Sequence, residues 1–113
     1  MKQLHYNLVL FSGTLNQIDE LKAGKSAKGR EWKRRSFSVQ SKYDFGRMKT
    51  FFADLWDENV SLLNDRCAGE EVTVVGKSVS NKGKNGKWFN SIEVLTIFGK
   101  GEGLPDLNEL YNM

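Results

Sequence analysis

From Asn7 to Ile18 the chain reads Asn-Leu-Val-Leu-Phe-Ser-Gly-Thr-Leu-Asn-Gln-Ile, a run rich in strand-forming residues. Gly13 inside it marks a bulge or a sharp bend. Leu21 to Arg30 is small, glycine-rich and basic, has no periodicity and reads as a mobile loop. Alternation begins at Trp32: Phe37 and Val39 fall on one side, and Trp32, Arg34, Ser36 and Gln40 on the other. Arg47 to Trp56 alternates as well, with Phe51, Ala53 and Leu55 opposite Thr50, Phe52, Asp54 and Trp56. Both sides of this strand carry large apolar groups, yet a sheet with one buried side uses only one of them as core. Asp57 to Ala68 switches to helical spacing, with Val60, Leu63 and Cys67 on one stripe. Asp57 is the expected N-cap, Glu58 suits the first turn, and Gly69 terminates the helix. Cys67 is expected to be a small core residue. Alternation resumes through Val72 and Val74, Lys82-Gly-Lys-Asn-Gly86 carries an Asn-Gly hairpin signal, and Trp88 to Phe98 is the last strand, with Ile92 and Val94 as core.

The order is strand, basic loop, strand, strand, short helix, strand, basic hairpin, strand. An all-β chain of five strands with one helix between the third and fourth predicts an OB-fold Greek-key barrel over residues 1–100, followed by a short acidic C-terminal tail over 101–113. The 113 residues suit one domain. No apolar run approaches the ~18–20 residues needed to span a bilayer, and Met-Lys-Gln-Leu-His-Tyr is no signal peptide. The expected location is therefore the cytoplasm, that of a bacterial host if the protein is phage-encoded, with no membrane partner. The lone Cys67 agrees with an intracellular setting.

Charge changes the picture more than composition does. The net charge is only +3, but residues 22–49 carry +8, residues 50–76 carry −5, residues 77–87 carry +4 with no acid, and residues 101–113 carry −3. In an OB barrel, ligands lie across the second and third strands, between the loop after the first strand and the hairpin before the last. Both basic blocks fall there. Gripping a single strand without regard to sequence needs cations for phosphates and flat rings for bases. The candidate stacking residues are Trp32, Phe52, Trp56 and Trp88, extended by Tyr43 and Phe45. The candidate phosphate contacts are Lys25, Lys28, Arg30, Lys33, Arg34, Arg35, Lys49, Lys82, Lys84 and Lys87. Arg34 is also suited to stack on a base. The competing assignments are ordinary ones, core packing for the rings and solvation for the lysines.

Enzyme chemistry finds no constellation. His5 and Cys67 are single, no Gly-rich phosphate loop opens a helix, and no spacing fits a metal. No catalytic residue, cofactor or metal is assigned, and Asp54 reads as an exposed strand aspartate or a salt-bridge partner.

Several stretches together resemble the bacterial and phage-type single-stranded-DNA-binding proteins. They are the Gly13 bulge, Gly29-Arg-Glu-Trp-Lys-Arg-Arg-Ser-Phe-Ser-Val39, Leu55-Trp-Asp-Glu-Asn-Val60, Gly69-Glu-Glu-Val-Thr-Val-Val-Gly76 and Gly86-Lys-Trp-Phe-Asn-Ser-Ile-Glu-Val94, in that order over residues 7–98. The resemblance implies DNA binding in replication, recombination or repair, with a homo-oligomer, dimer or tetramer, as the working form. It also implies that Trp56 matches the family's aromatic at the end of the third strand. The family's other aromatic on that strand would fall near Thr50, and Phe52 is its candidate substitute along the same face. Family tails recruit replication and recombination proteins. Here Gly99-Lys-Gly-Glu-Gly103 reads as a hinge, but the tail lacks the acidic run with a terminal Pro-Phe, and the other reading is a helix packed on the barrel through Leu107, Leu110 and Tyr111. The alternatives to DNA are an RNA-binding OB module and an OB domain for protein interaction or assembly, whose surplus aromatics form a subunit interface.

Overall fold

A computed structural model describes residues 7–42, 46–100 and 102. In chain order these form β1 (Val9–Ile18), β2 (Lys22–Lys25), β3 (Glu31–Lys42), β4 (Met48–Trp56), a 3-10 helix η1 (Asp57–Leu63), β5 (Glu71–Lys82) and β6 (Trp88–Gly99). The strands lie in the order β1-β5-β6-β4-β3-β2, and a further β1–β3 pairing joins the ends. β1, β3, β4, β6 and β5 therefore close into a five-stranded barrel, with β2 attached to β3 outside it. Every pairing is antiparallel except that of β4 with β6, which run parallel and are in register at Asp54–Glu93. This is the OB arrangement.

Phe11 and Leu15 of β1, Phe37 and Val39 of β3, Ala53 and Leu55 of β4, Val72 and Val74 of β5, Val94 and Ile97 of β6 and Leu63 of η1 form the core. The choice between the two apolar sides of β4 falls to Phe51, Ala53 and Leu55. Phe51 stacks on Phe11 with ring centroids 4.9 Å apart, which leaves Phe52 and Trp56 outside. Gly13 is required because a Cβ there would run into the Gln40 carbonyl where β1 crosses β3.

Several expectations are corrected. Leu21 to Arg30 is not simply a loop: Lys22–Lys25 pairs with Glu31–Arg34 around a tight turn in which Gly29 has φ 82°. The added strand puts the helix between the fourth and fifth strands, not the third and fourth. The helix is also shorter than expected and of 3-10 type. Trp56 occupies the N-cap position without a side-chain cap, Asp57 stands at φ 51° with its carboxylate engaged elsewhere, and Leu63 is its buried residue. Cys67 lies past its end and is exposed rather than core. In β6, the pairing steps from Val75–Thr96 to Gly76–Val94, so Leu95 is an extra residue, and the bulge turns Ile97 inward beside Val94.

Candidate nucleic-acid interface

The outer side of β3 and β4 is set by register. Arg34 lies opposite Trp56, Ser36 opposite Asp54 and Ser38 opposite Phe52. Because Phe37, Val39, Ala53 and Leu55 are buried, their neighbours project from the barrel. Phe52 is 72% exposed and Trp56 38% exposed. Trp32, near the start of β3, is half-buried. Its ring meets that of Trp56 edge to face at 6.1 Å and 62°. On its other flank it rests against β2, where a Cβ at Gly24 would come within 2.7 Å of the indole. β2 thus serves as a shelf that holds Trp32 beside Trp56.

Charge is arranged around these rings by hydrogen bonding. The Arg34 guanidinium lies 5.6 Å from the centre of the Trp56 ring, a cation–π distance. Asp54 fixes it there, accepting from Arg34 Nη2 at 3.2 Å and Nε at 3.4 Å and from Ser36 Oγ at 2.7 Å. The Asp54 side chain is only 12% exposed, so this carboxylate is a covered anchor for Arg34. Asp57 works similarly at the end of β4. Its Oδ1 accepts from the Lys33 backbone N–H at 3.1 Å and its Oδ2 faces Arg30 at 3.8 Å, latching the β2–β3 hairpin to the barrel. Its φ of 51° is costly for a non-glycine residue, and the carboxylate it aims at the hairpin offsets that strain. Between hairpin and barrel runs an open groove of about 940 Å³, lined by Lys25, Arg30, Trp32, Lys33, Trp56 and Asp57 among others. Glu31 and Glu58 also face it, so its walls carry both signs of charge.

The sequence-predicted residues are gathered unevenly. Lys25, Lys28, Arg30 and Lys33 project from the β2–β3 hairpin, and Arg34 lies among the rings. Arg35 points to the other side of β3, where its Nε donates to the Asp19 carbonyl at 3.1 Å. Lys49 shares its side of β4 with Phe51, away from Phe52. Lys82, Lys84 and Lys87 crown the β5–β6 hairpin, where Trp88 is 69% exposed. Trp88 alternates in phase with Ile92 and Val94, so it lies on the core side of that hairpin and is not brought together with Phe52 and Trp56. Tyr43, Phe45 and the tail beyond Lys100, except Glu102, lie outside the described residues. The Glu102 carboxyl is held below the ordinary glutamate range by the Gly99 backbone N–H and by Arg66, which it meets at 3.0 Å. Phe89, absent from the sequence-based set, is 52% exposed. The signal for it was the same as at Phe51-Phe52: two adjacent large apolar residues in a strand cannot share one side. Among the described residues no group of three or more His, Cys, Asp or Glu is placed to hold a metal, and no helix is long and apolar enough to cross a membrane.

Barrel topology and outward rings together define an OB-fold protein with an aromatic outer sheet. No protein-family model and no curated protein matches the sequence. Among solved structures the chain is similar to the N-terminal domain of the PriB protein from Thermoanaerobacter tencongensis, described as dimeric. The two share 16% identity over 88% of this chain and 98% of that one, with a TM-score of 0.59. It is also similar to a mitochondrial single-stranded DNA binding protein of S. cerevisiae (14% identity, 88% and 100% covered, TM-score 0.62). A third is the second OB-fold domain of replication protein A from Methanococcus maripaludis (19%, 85% and 86%, TM-score 0.55). At these identities the likeness is one of fold.

Proposed function

We propose that this protein binds single-stranded nucleic acid, DNA in preference to RNA, without strong sequence preference and without catalysing a reaction. Bases stack on Trp32, Trp56 and Phe52, and the basic hairpins on either side neutralise phosphates. The observation that carries the reading is that these rings stand outside the barrel, on the sheet face between the two basic hairpins. Rings needed only for stability would have been turned inward, where burial contributes about 1.5–3 kcal/mol for each large side chain. The solved structures similar in fold include a single-stranded DNA binding protein and a replication protein A domain, which favours DNA and a role in replication or recombination. The dimeric PriB domain favours self-association.

The test is a titration of oligo-dT into the protein at two salt concentrations, followed by tryptophan fluorescence. Quenching is expected, with an affinity that falls steeply as salt rises. Unchanged fluorescence at low salt defeats the proposal. Competition by oligo-U reports the DNA preference, because the 2′-OH is what a protein can use to tell the two apart. Trp56→Ala is expected to weaken binding by roughly 5- to 150-fold, the range carried by one stacked base, with molecular mass unchanged. Dissociation of an oligomer on that substitution would instead make the rings a subunit interface.

A further inference from the structure

β5 and β6 run on past the barrel. β1 pairs with β5 only over Glu71–Gly76, and β4 meets β6 in register at Glu93. Lys77–Lys82 and Trp88–Ile92 therefore form a two-stranded arm whose register is unbroken from Lys77–Glu93 to Lys82–Trp88. That register decides which side each ring takes. Glu93 is level with Asp54, whose neighbours on the outer side of β4 are Phe52 and Trp56. Side chains two apart on a strand share a side, so Phe89, four residues before Glu93, belongs to this same outer side. Phe89 stands four residues toward the hairpin tip from Glu93, opposite Asn81 of β5 and past the pairing of β4 with β6. Trp88 belongs to the opposite side with Ile92 and Val94.

Phe89 is 52% exposed on an arm that has no core of its own to receive it. Lys84 and Lys87 belong to the turn that leads into it, Lys82 lies opposite Trp88, and residues 77–87 contain no acid. A flat ring in a locally basic, acid-free turn has the chemistry for a nucleobase and its phosphates and none for a cationic partner. We infer that Phe89 is a base-stacking residue. A bound single strand leaves the Trp32–Trp56 groove, crosses Phe52 and continues along the outer side of the arm, with Phe89 in the role expected of Trp88. This rests on the nucleic-acid reading above.

The experiment titrates a long and a short oligo-dT into the native chain and into Phe89→Ala, Phe89→Trp and Trp88→Ala. Phe89→Ala is expected to weaken the long oligonucleotide by roughly 5- to 150-fold, as for one stacked base, and to leave untouched a short one that fills only the groove. Phe89→Trp restores the affinity and adds to the fluorescence quenched on binding. Trp88→Ala changes affinity by less than about twofold. All three residue changes lie outside the core, so the melting temperature reports that the barrel is intact. If the native chain binds and Phe89→Ala binds equally well, or if Trp88→Ala carries the loss, the inference fails while the nucleic-acid reading stands. If the native chain does not bind oligo-dT at all, the reading fails and takes the inference with it.

Discussion

At the scale of single residues, the least expected feature of the interface is a covered carboxylate in the middle of a face read as anion-binding. Asp54 earns its place through Arg34: the carboxylate fixes two guanidinium nitrogens, and the guanidinium in turn lies over Trp56. Held this way, Arg34 presents a planar cation with little rotamer entropy left to lose on binding. Asp54→Asn retains an acceptor for Ser36 Oγ but exchanges a charge-assisted contact to Arg34 for a neutral one. The expected outcome is a loss of about 1–2 kcal/mol in stability, read from the urea midpoint, together with weaker oligo-dT binding as Arg34 loses its orientation. A variant of native stability would show that Arg34 is held by its neighbours without the ion pair.

At the scale of elements, legibility in the sequence followed how strongly each strand is pressed against the core. β3 and β4 alternate cleanly because one side is buried, and their outward residues were identifiable by phase alone. β2 left no pattern, since a strand added outside the barrel has no buried side to impose one, and its lysines and glycine resembled loop composition. The bulge at Leu95 reverses phase within β6, so reading Val94 inward by simple alternation hid Ile97. At η1 the spacing of Val60, Leu63 and Cys67 continued farther than the hydrogen bonding did. Trp88 attracted attention as tryptophan, and only the arm's register separated it from Phe89. The β2–β3 hairpin also offers an element-scale test. Gly24→Ala places a methyl against the rigid indole of Trp32, which is displaced from its present edge-to-face position on Trp56 because Ala23 and Lys25, on either side of Gly24, are both paired to β3. Near-ultraviolet circular dichroism is expected to change and oligo-dT affinity to fall several-fold, whereas the thermal midpoint moves little, since Gly24 is outside the core. An unchanged aromatic spectrum would mean that β2 yields instead of the ring.

Over the whole molecule, a chain of net charge +3 keeps its cations at two separated places, the β2–β3 hairpin and the β5–β6 tip, with the exposed rings between them. Such a distribution pulls a polyanion across the sheet from both ends, whereas the same charges spread evenly would attract it without direction. The two ends differ in one respect. The groove beside the β2–β3 hairpin mixes its cations with Glu31, Asp57 and Glu58, and Arg30 is already opposite Asp57, while the β5–β6 tip has Lys82, Lys84 and Lys87 without a neighbouring acid in sequence. Counterion release should therefore be greatest at the tip, because a cation already facing a carboxylate gains less from a phosphate. Each phosphate neutralised on a single strand contributes about −0.7 to the slope of log affinity against log salt. Replacing Lys82, Lys84 and Lys87 together by Ser is expected to make that slope shallower by about 2, with tryptophan quenching at saturation unchanged because the rings remain. Replacing Lys25, Arg30 and Lys33 by Ser is expected to shift the slope less. Equal shifts from the two triple variants would show that the groove carboxylates do not compete with phosphate, and that the strand is held equally at both ends.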